Sequence, residues 1–259
     1  MNILEKEMFN LLKQGRDAYG FTHIRAEFEA EGTRFEDLLR LIEIGYKAGL
    51  NLVIKISGCE SMAELTNARQ LGASAIIVSM IESTYALKKY AQSCEKVFPK
   101  SQGHEAKFYF NIETTQAYTI QQELIKESRK LGLDGVVFGR VDFAASMNFS
   151  RTEIESPMMT QKVIDVAITC QQFDQELILG GAISADSIVA LKEIANVYLS
   201  HFETRKIVFD KSQLNHPTLT NALQLAAKFE WLWLKNKQNY YQEISNEDEL
   251  RIKLLKQRL

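Results

Sequence analysis

The sequence predicts a parallel α/β barrel, and three observations carry that prediction. Short apolar runs rich in β-branched residues alternate with amphipathic helical stretches along most of the chain, as βα units around a buried parallel sheet require. Two consecutive runs close on an acid, Lys107-Phe-Tyr-Phe-Asn-Ile-Glu113 and Asp134-Gly-Val-Val-Phe-Gly-Arg-Val-Asp142, with a helical stretch between them. Polar residues recur at alternate positions near the C-terminal ends of four candidate strands, the end at which such barrels carry their chemistry.

Taken in order, residues 2–15 read as helix. Strands follow near 22–29, 51–57, 74–80, 107–113, 134–142, 176–182 and 196–202. Helices fill 34–48, 60–71, 83–96, 115–131, 158–173 and 184–194. Seven strands are legible where a closed barrel takes eight. The missing one is expected at the N-terminus, with a seven-stranded or open variant as the alternative. The expected fold is a TIM-type (β/α)8 barrel over 1–210, followed by a C-terminal helical extension over 211–259. In that extension Pro217 opens a helix to about 238, and a charge-dense second helix covers about 246–258. Trp231, Trp233 and Leu234 exceed what one outer helix needs, and are expected to pack on the barrel or on a neighbouring subunit.

Bulk properties narrow the function classes. With 259 residues the chain can bury a large core. Charge is almost balanced, 31 basic against 33 acidic residues, so no basic face points to nucleic acid. Cys59, Cys94 and Cys170 have neither metal-ligand nor redox spacing, which fits a reducing cytoplasm. The segment Met1-Asn-Ile-Leu-Glu-Lys-Glu-Met8 is no signal peptide, and no apolar run approaches the roughly 18–20 residues of a membrane helix. The expectation is a soluble cytoplasmic protein with no nucleic-acid or membrane partner.

Side chains alternate faces along a strand. Arg25, Glu27 and Glu29 therefore share a face, as do Lys55 and Ser57, Asn111 and Glu113, and Arg140 and Asp142. Burying so many charges unpaired is prohibitive, so these faces are expected to converge on water or a ligand. Glu113 and Asp142 at adjacent strand ends point to a hard divalent cation, Mg²⁺ or Mn²⁺. The plainer alternative is that each acid caps the helix after it. Gly180-Gly181 at the sixth strand end can bring backbone N–H groups to an anion or form a tight turn. His201 reads as a core residue rather than a catalyst, and His104 and His216 carry no role.

These segments resemble the HpcH/HpaI aldolase and citrate lyase β-chain family, metal-dependent members of the phosphoenolpyruvate/pyruvate barrels. The likeness runs from about residue 20 to 210. Gly72-Ala-Ser-Ala-Ile-Ile-Val-Ser-Met-Ile-Glu-Ser83 is similar to the family's third-strand signature. Asn111-Ile-Glu-Thr-Thr115 and Gly132 to Ser146 resemble its metal-binding glutamate and aspartate segments. The resemblance implies that Glu113 and Asp142 hold the metal. Two positions depart from the family. Lys55 stands where an arginine commonly binds the keto oxygen, and lysine cannot reproduce a bidentate fork. Ala30 stands where aldolase members carry a proton-transferring histidine.

The resemblance implies a metal-dependent carbon–carbon lyase or aldolase acting on a pyruvate- or oxaloacetate-like keto acid through an enolate, the second fragment being an aldehyde, an acyl-CoA or acetate. Lys55 or Arg140 is expected to face the keto oxygen, and Glu29 to move the proton. Glu27, Ser57, Gly180 and Gly181 are expected to bind substrate, and the protein to form a homo-oligomer. Two alternatives stand beside this reading: a Schiff-base aldolase using Lys55, and a non-catalytic barrel serving as a binding or assembly subunit.

Overall fold

In the computed structural model, which describes residues 1–29 and 31–259, eight strands close into one barrel in sequence order. The chain opens with α1 (Ile3–Tyr19), whose N-terminus is satisfied by a capping box between Asn2 and Glu5 and whose end is marked by Gly20 at φ 66°. Then follow β1 (Phe21–Glu27), α2 (Phe35–Lys47), β2 (Asn51–Ile56), α3 (Met62–Gln70), β3 (Ala75–Val78), α4 (Thr84–Val97) and β4 (Lys107–Ile112). The second half runs α5 (Thr115–Thr119), α6 (Gln121–Leu131), β5 (Gly135–Gly139), α7 (Arg140–Ser146), α8 (Pro157–Gln172), β6 (Glu176–Gly180), α9 (Ile188–Val197), β7 (His201–Glu203), β8 (Ile207–Asp210) and α10 (Leu219–Lys256).

The eighth strand is not the N-terminal one expected from the sequence. It is the short β8, which hydrogen-bonds antiparallel to both β7 and β1 and closes the barrel. Only Thr204–Lys206 separates β7 from β8, and a parallel return needs a crossover of a dozen or more residues. A hairpin is therefore the only geometry the connection allows. All other neighbouring strands are parallel.

Three further expectations need correction. The fifth strand ends at Gly139, and Arg140–Ser146 is helix. The seventh strand starts at His201, because α9 runs on to Val197. The C-terminal extension is one continuous helix of 38 residues rather than two. Its first half packs antiparallel on α1, with Lys228 paired to Glu7 and Asn236 bonded to Asn2. Trp233 is buried there, while Trp231 and Leu234 face solvent.

Side chains fill the barrel in layers. Val53, Ile77, Tyr109, Val137, Ile178 and Val208 form an apolar plug in its centre, and a larger cluster fills the space between strands and helices. Above the plug, at the C-terminal strand ends, the interior becomes polar. No helix among the described residues is long and apolar enough to cross a membrane.

Candidate active site

A cavity of about 480 Å³ opens at the C-terminal end of the barrel, lined by Arg25, Glu27, Lys55, Asn111, Glu113, Asp142 and Glu203 among others. Six of these seven side chains are buried, and Asp142 is the one that solvent reaches. Desolvated charges in such number must hold one another.

Glu113 lies at the centre of this arrangement and is 1% exposed. Its Oε1 accepts from the Met80 backbone N–H at 2.9 Å, and Met80 adopts a left-handed conformation, φ 53°, in doing so. Its Oε2 accepts from Lys55 Nζ at 3.1 Å and from Asn111 Nδ2 at 2.5 Å. Helix capping, the plainer alternative, does not describe Glu113: Thr114 caps α5 through its own side chain. Asp142 sits in the first turn of α7, where no side chain caps the helix. Its carboxyl meets that of Glu113, and burial, then the Glu113 charge, push its pKa up. Two carboxylates held against each other in this way create a standing demand for positive charge.

Lys55 answers part of that demand. Its ammonium lies 3.1 Å from both Glu113 Oε2 and Glu29 Oε1. Burial alone would lower its pKa, but Glu113 and Glu29 outweigh that and raise it. Glu29 is half-buried, and burial pushes its carboxyl up despite the ammonium beside it. Its Oε2 has no partner. Glu27 is paired with Arg25. Burial would raise the Glu27 pKa, but Arg25 and Lys55 bring it below the ordinary value.

Arg25 and Glu203, to which the sequence reading assigns no role, also line the cavity. Arg25 lies between Glu27 and Glu203, with Nε 3.1 Å from Glu203 Oε1. Glu203 is raised by burial, and its Oε2 is unpartnered. The signal for Arg25 was present, since it shares the face of Glu27. Glu203 carries no such signal, because a strand expected over 196–202 ends before it, whereas β7 runs His201–Glu203.

Two expected residues stand elsewhere. Arg140 is turned away from the cavity: its guanidinium donates to the Gly181 carbonyl at 2.9 and 3.1 Å, to Ser187 Oγ at 3.1 Å and to Glu155 at 3.0 Å. In a helix, residues two apart point to nearly opposite sides, so Arg140 and Asp142 do not share a face as they would in a strand. Ser57 is exposed and bonds Glu64 and Ser61 at the start of α3. Gly180 and Gly181 do line the cavity. A Cβ at Gly180 would come 2.9 Å from Glu203 Oε1, and Gly181 adopts φ 91°, so Gly180 makes room for a carboxylate and Gly181 for a turn. Ala30 lies outside the described residues.

The donor set fits a hard divalent cation. Glu113 and Asp142 supply carboxylate oxygens, and the buried Asn111 Oδ1 beside them has no partner. Gly139 keeps the space open, since a Cβ there would stand 3.0 Å from Glu113 Cβ. Among the described residues no three acidic, histidine or cysteine side chains form a ready-made ligand cluster. Mg²⁺ commonly takes one or two carboxylates and completes its shell with water or substrate.

No family model and no curated protein matches the sequence. Solved structures do match the fold. An HpcH/HpaI aldolase/citrate lyase family protein from Burkholderia cenocepacia superposes with a TM-score of 0.62 at 13% identity, over 93% of this chain and 90% of its own. The HpcH/HpaI aldolase from Desulfitobacterium hafniense gives 0.59 at 14% identity, over 76% and 82%. This chain has the fold of the HpcH/HpaI aldolases and citrate lyases. A malate synthase from Haloferax volcanii, in a magnesium/glyoxylate complex, matches at 0.54 and 12% identity, over 76% of this chain and 65% of that one.

Proposed function

We propose that the protein is a metal-dependent carbon–carbon lyase of the aldolase or citrate lyase kind, acting on a pyruvate- or oxaloacetate-like keto acid through its enolate. The observation that carries this reading is the contact of Glu113 and Asp142 at the barrel mouth, with Lys55 and an unpartnered Asn111 oxygen beside them. The fold neighbours support it at the level of the family, and the magnesium of one neighbour's complex matches the cation that this donor set favours.

Glu113, Asp142 and Asn111 would hold Mg²⁺ or Mn²⁺, which supplies Lewis-acid polarisation of the keto and carboxylate oxygens. Lys55, kept cationic by its two acidic neighbours, sets positive charge against oxygen where negative charge develops. Glu29, its carboxyl raised by burial and its Oε2 free, is suited to exchange the proton at the reacting carbon. Arg25 contributes a fixed guanidinium to the cavity wall. The same two acids that hold Lys55 protonated disfavour the Schiff-base alternative, since amine attack needs the neutral form.

The experiment is proton NMR of pyruvate in D₂O with protein and Mg²⁺ or Mn²⁺. Metal-dependent loss of the methyl signal, abolished by EDTA and by Glu113→Gln and Asp142→Asn, supports enolate formation at this site. Absence of exchange under either metal removes pyruvate and leaves a bulkier keto acid, an acyl-CoA substrate or a non-catalytic barrel.

A further inference from the structure

The cavity at the barrel mouth rests partly on two glycines. Gly139 ends β5 and Gly180 ends β6, and they are register partners across that parallel pair. A carboxylate lies over the missing Cβ of each. A Cβ at Gly139 would stand 3.2 Å from Glu113 Oε2, and one at Gly180 would stand 2.9 Å from Glu203 Oε1. Neighbouring strands lie about 4.8 Å apart. Glu113, of the proposed cation site, and Glu203 therefore flank one short stretch of open floor that a small keto acid would cover.

The buried acids along this floor are not equally engaged. Glu113 uses both oxygens, on the Met80 N–H and on Lys55 and Asn111. Glu27 is paired with Arg25. Glu203 is 3% exposed and meets Arg25 through Oε1, at 3.1 Å, while its Oε2 is buried without a partner. Burial raises its pKa against the pull of Arg25; Glu27 adds to the rise, Lys55 opposes it and Glu113 adds again. On its own strand His201 shares its face, two residues toward the other end. A desolvated carboxyl with one oxygen free is equipped both to take and to return a proton.

We propose that Glu203 is the acid–base residue for the hydroxyl of the carbon that leaves, a catalytic role that rests on the lyase reading above. In cleavage its carboxylate takes the hydroxyl proton. The carbon–oxygen bond becomes a carbonyl as the neighbouring carbon–carbon bond breaks, and the electron pair of that bond stays on the keto acid as the enolate. Addition reverses each step, the carboxylic acid returning its proton to the carbonyl oxygen. Glu203 is also the one described side chain that lines both this cavity and a second, of about 210 Å³, at the opposite end of the barrel. It can thus trade its proton with water there while substrate fills the mouth. The proton that reaches the enolate carbon is a different one and stays with Glu29.

Two rates separate this role from the rest of the site. One is proton–deuterium exchange of pyruvate, which involves no hydroxyl. The other is cleavage of the aldols of pyruvate with acetaldehyde and with glyoxylate. Both are measured on the full chain with Mn²⁺, for wild type, Glu203→Gln and Glu203→Asp. Glu203→Gln is expected to slow cleavage at least about 100-fold, the lower end of acid–base catalysis, and to slow exchange far less. Wild-type cleavage should rise with pH as Glu203 ionises. That limb should vanish in Glu203→Gln and persist, at a reduced rate, in Glu203→Asp. Infrared titration of the metal-free protein follows the carboxyl itself, whose band is the one missing from Glu203→Gln and should titrate above the ordinary value of 4.5. Equal loss of both rates in Glu203→Gln overturns the proposal, since Glu203 then only holds Arg25 in place. Cleavage that survives in Glu203→Gln, or a carboxyl that titrates at or below its ordinary value, overturns it too. A wild type that exchanges pyruvate but cleaves no aldol overturns this proposal alone. One that does neither overturns the lyase reading with it.

Discussion

The ammonium of Lys55 stands 3.1 Å from Glu113 Oε2, so the cation nearest the paired carboxylates is one that the chain itself supplies. Removing one partner of a buried pair leaves an uncompensated charge and costs about 3–5 kcal/mol. Lys55→Met is expected to lower the melting temperature of the metal-free protein, and Mn²⁺ should restore more stability to the variant than it adds to wild type. Calorimetry with and without Mn²⁺ checks this. Equal gains in both proteins would separate Lys55 from the proposed cation site.

Asp142 gives a pH dependence of definite sign. Burial and Glu113 raise its folded pKa, so its protonated form favours folding. That stabilisation is complete below the ordinary aspartate value of 3.8, and is lost as pH rises through the folded value. In metal-free protein Asp142→Asn should therefore raise the melting temperature at neutral pH. In Mn²⁺ the order should reverse, because the carboxylate is then the useful form. Melting curves across pH, with EDTA or Mn²⁺, read both signs.

His23 acts at the opposite end of the barrel, beside His201 in a second cavity of about 210 Å³. Burial, then the charges of His201 and Lys107, lower its pKa to about 4. A base with a lowered folded value stabilises fully above its ordinary 6.5 and loses that contribution as pH falls toward about 4. Allowing for partial exposure, the loss should be on the order of 2 kcal/mol. His23→Gln should flatten the acid limb of the stability curve while leaving neutral stability nearly unchanged. Urea titrations at several pH values make the comparison.

Gly139→Ala tests the space around Glu113. The added Cβ would meet Glu113 Cβ at 3.0 Å and Oε2 at 3.2 Å, and overpacking of this kind costs about 1–3 kcal/mol. The carboxylate must shift, so Mn²⁺ binding, followed by electron paramagnetic resonance, should weaken at least about tenfold, a difference of about 1.4 kcal/mol. Unchanged affinity would show that Glu113 can move without loss.

The two tryptophans of α10 should behave differently although only one residue separates them. Trp233 is 2% exposed and Trp231 59% exposed. Trp233→Ala is expected to cost about 3–5 kcal/mol, and Trp231→Ala less than about 0.5 kcal/mol. Chemical denaturation of both variants distinguishes an extension packed on its own barrel from one held elsewhere.

How much of this was legible in the sequence depended on whether the signal was local. Alternation of apolar runs and amphipathic stretches determined the barrel, because strand and helix periods are written in neighbouring residues. Parity likewise brought Glu27, Lys55, Asn111 and Glu113 to one face, since each lies on or directly after a strand. It failed at Arg140 and Asp142, where β5 had already given way to helix and two-residue spacing points side chains apart. It missed β8 because three apolar residues, Ile207-Val-Phe209, are too short a run to declare a strand. Only closure of the barrel, which leaves β1 and β7 each needing a partner, turns them into one. The sequence by itself determined the scaffold and most of the charges at its mouth. The tertiary structure decided which charges meet: Lys55 with Glu113, Arg25 with Glu203, and Arg140 with the Gly181 carbonyl instead of the cavity. Such contacts join residues tens of positions apart, and the cost of leaving a buried charge unpaired is felt only when the closed fold excludes water from it.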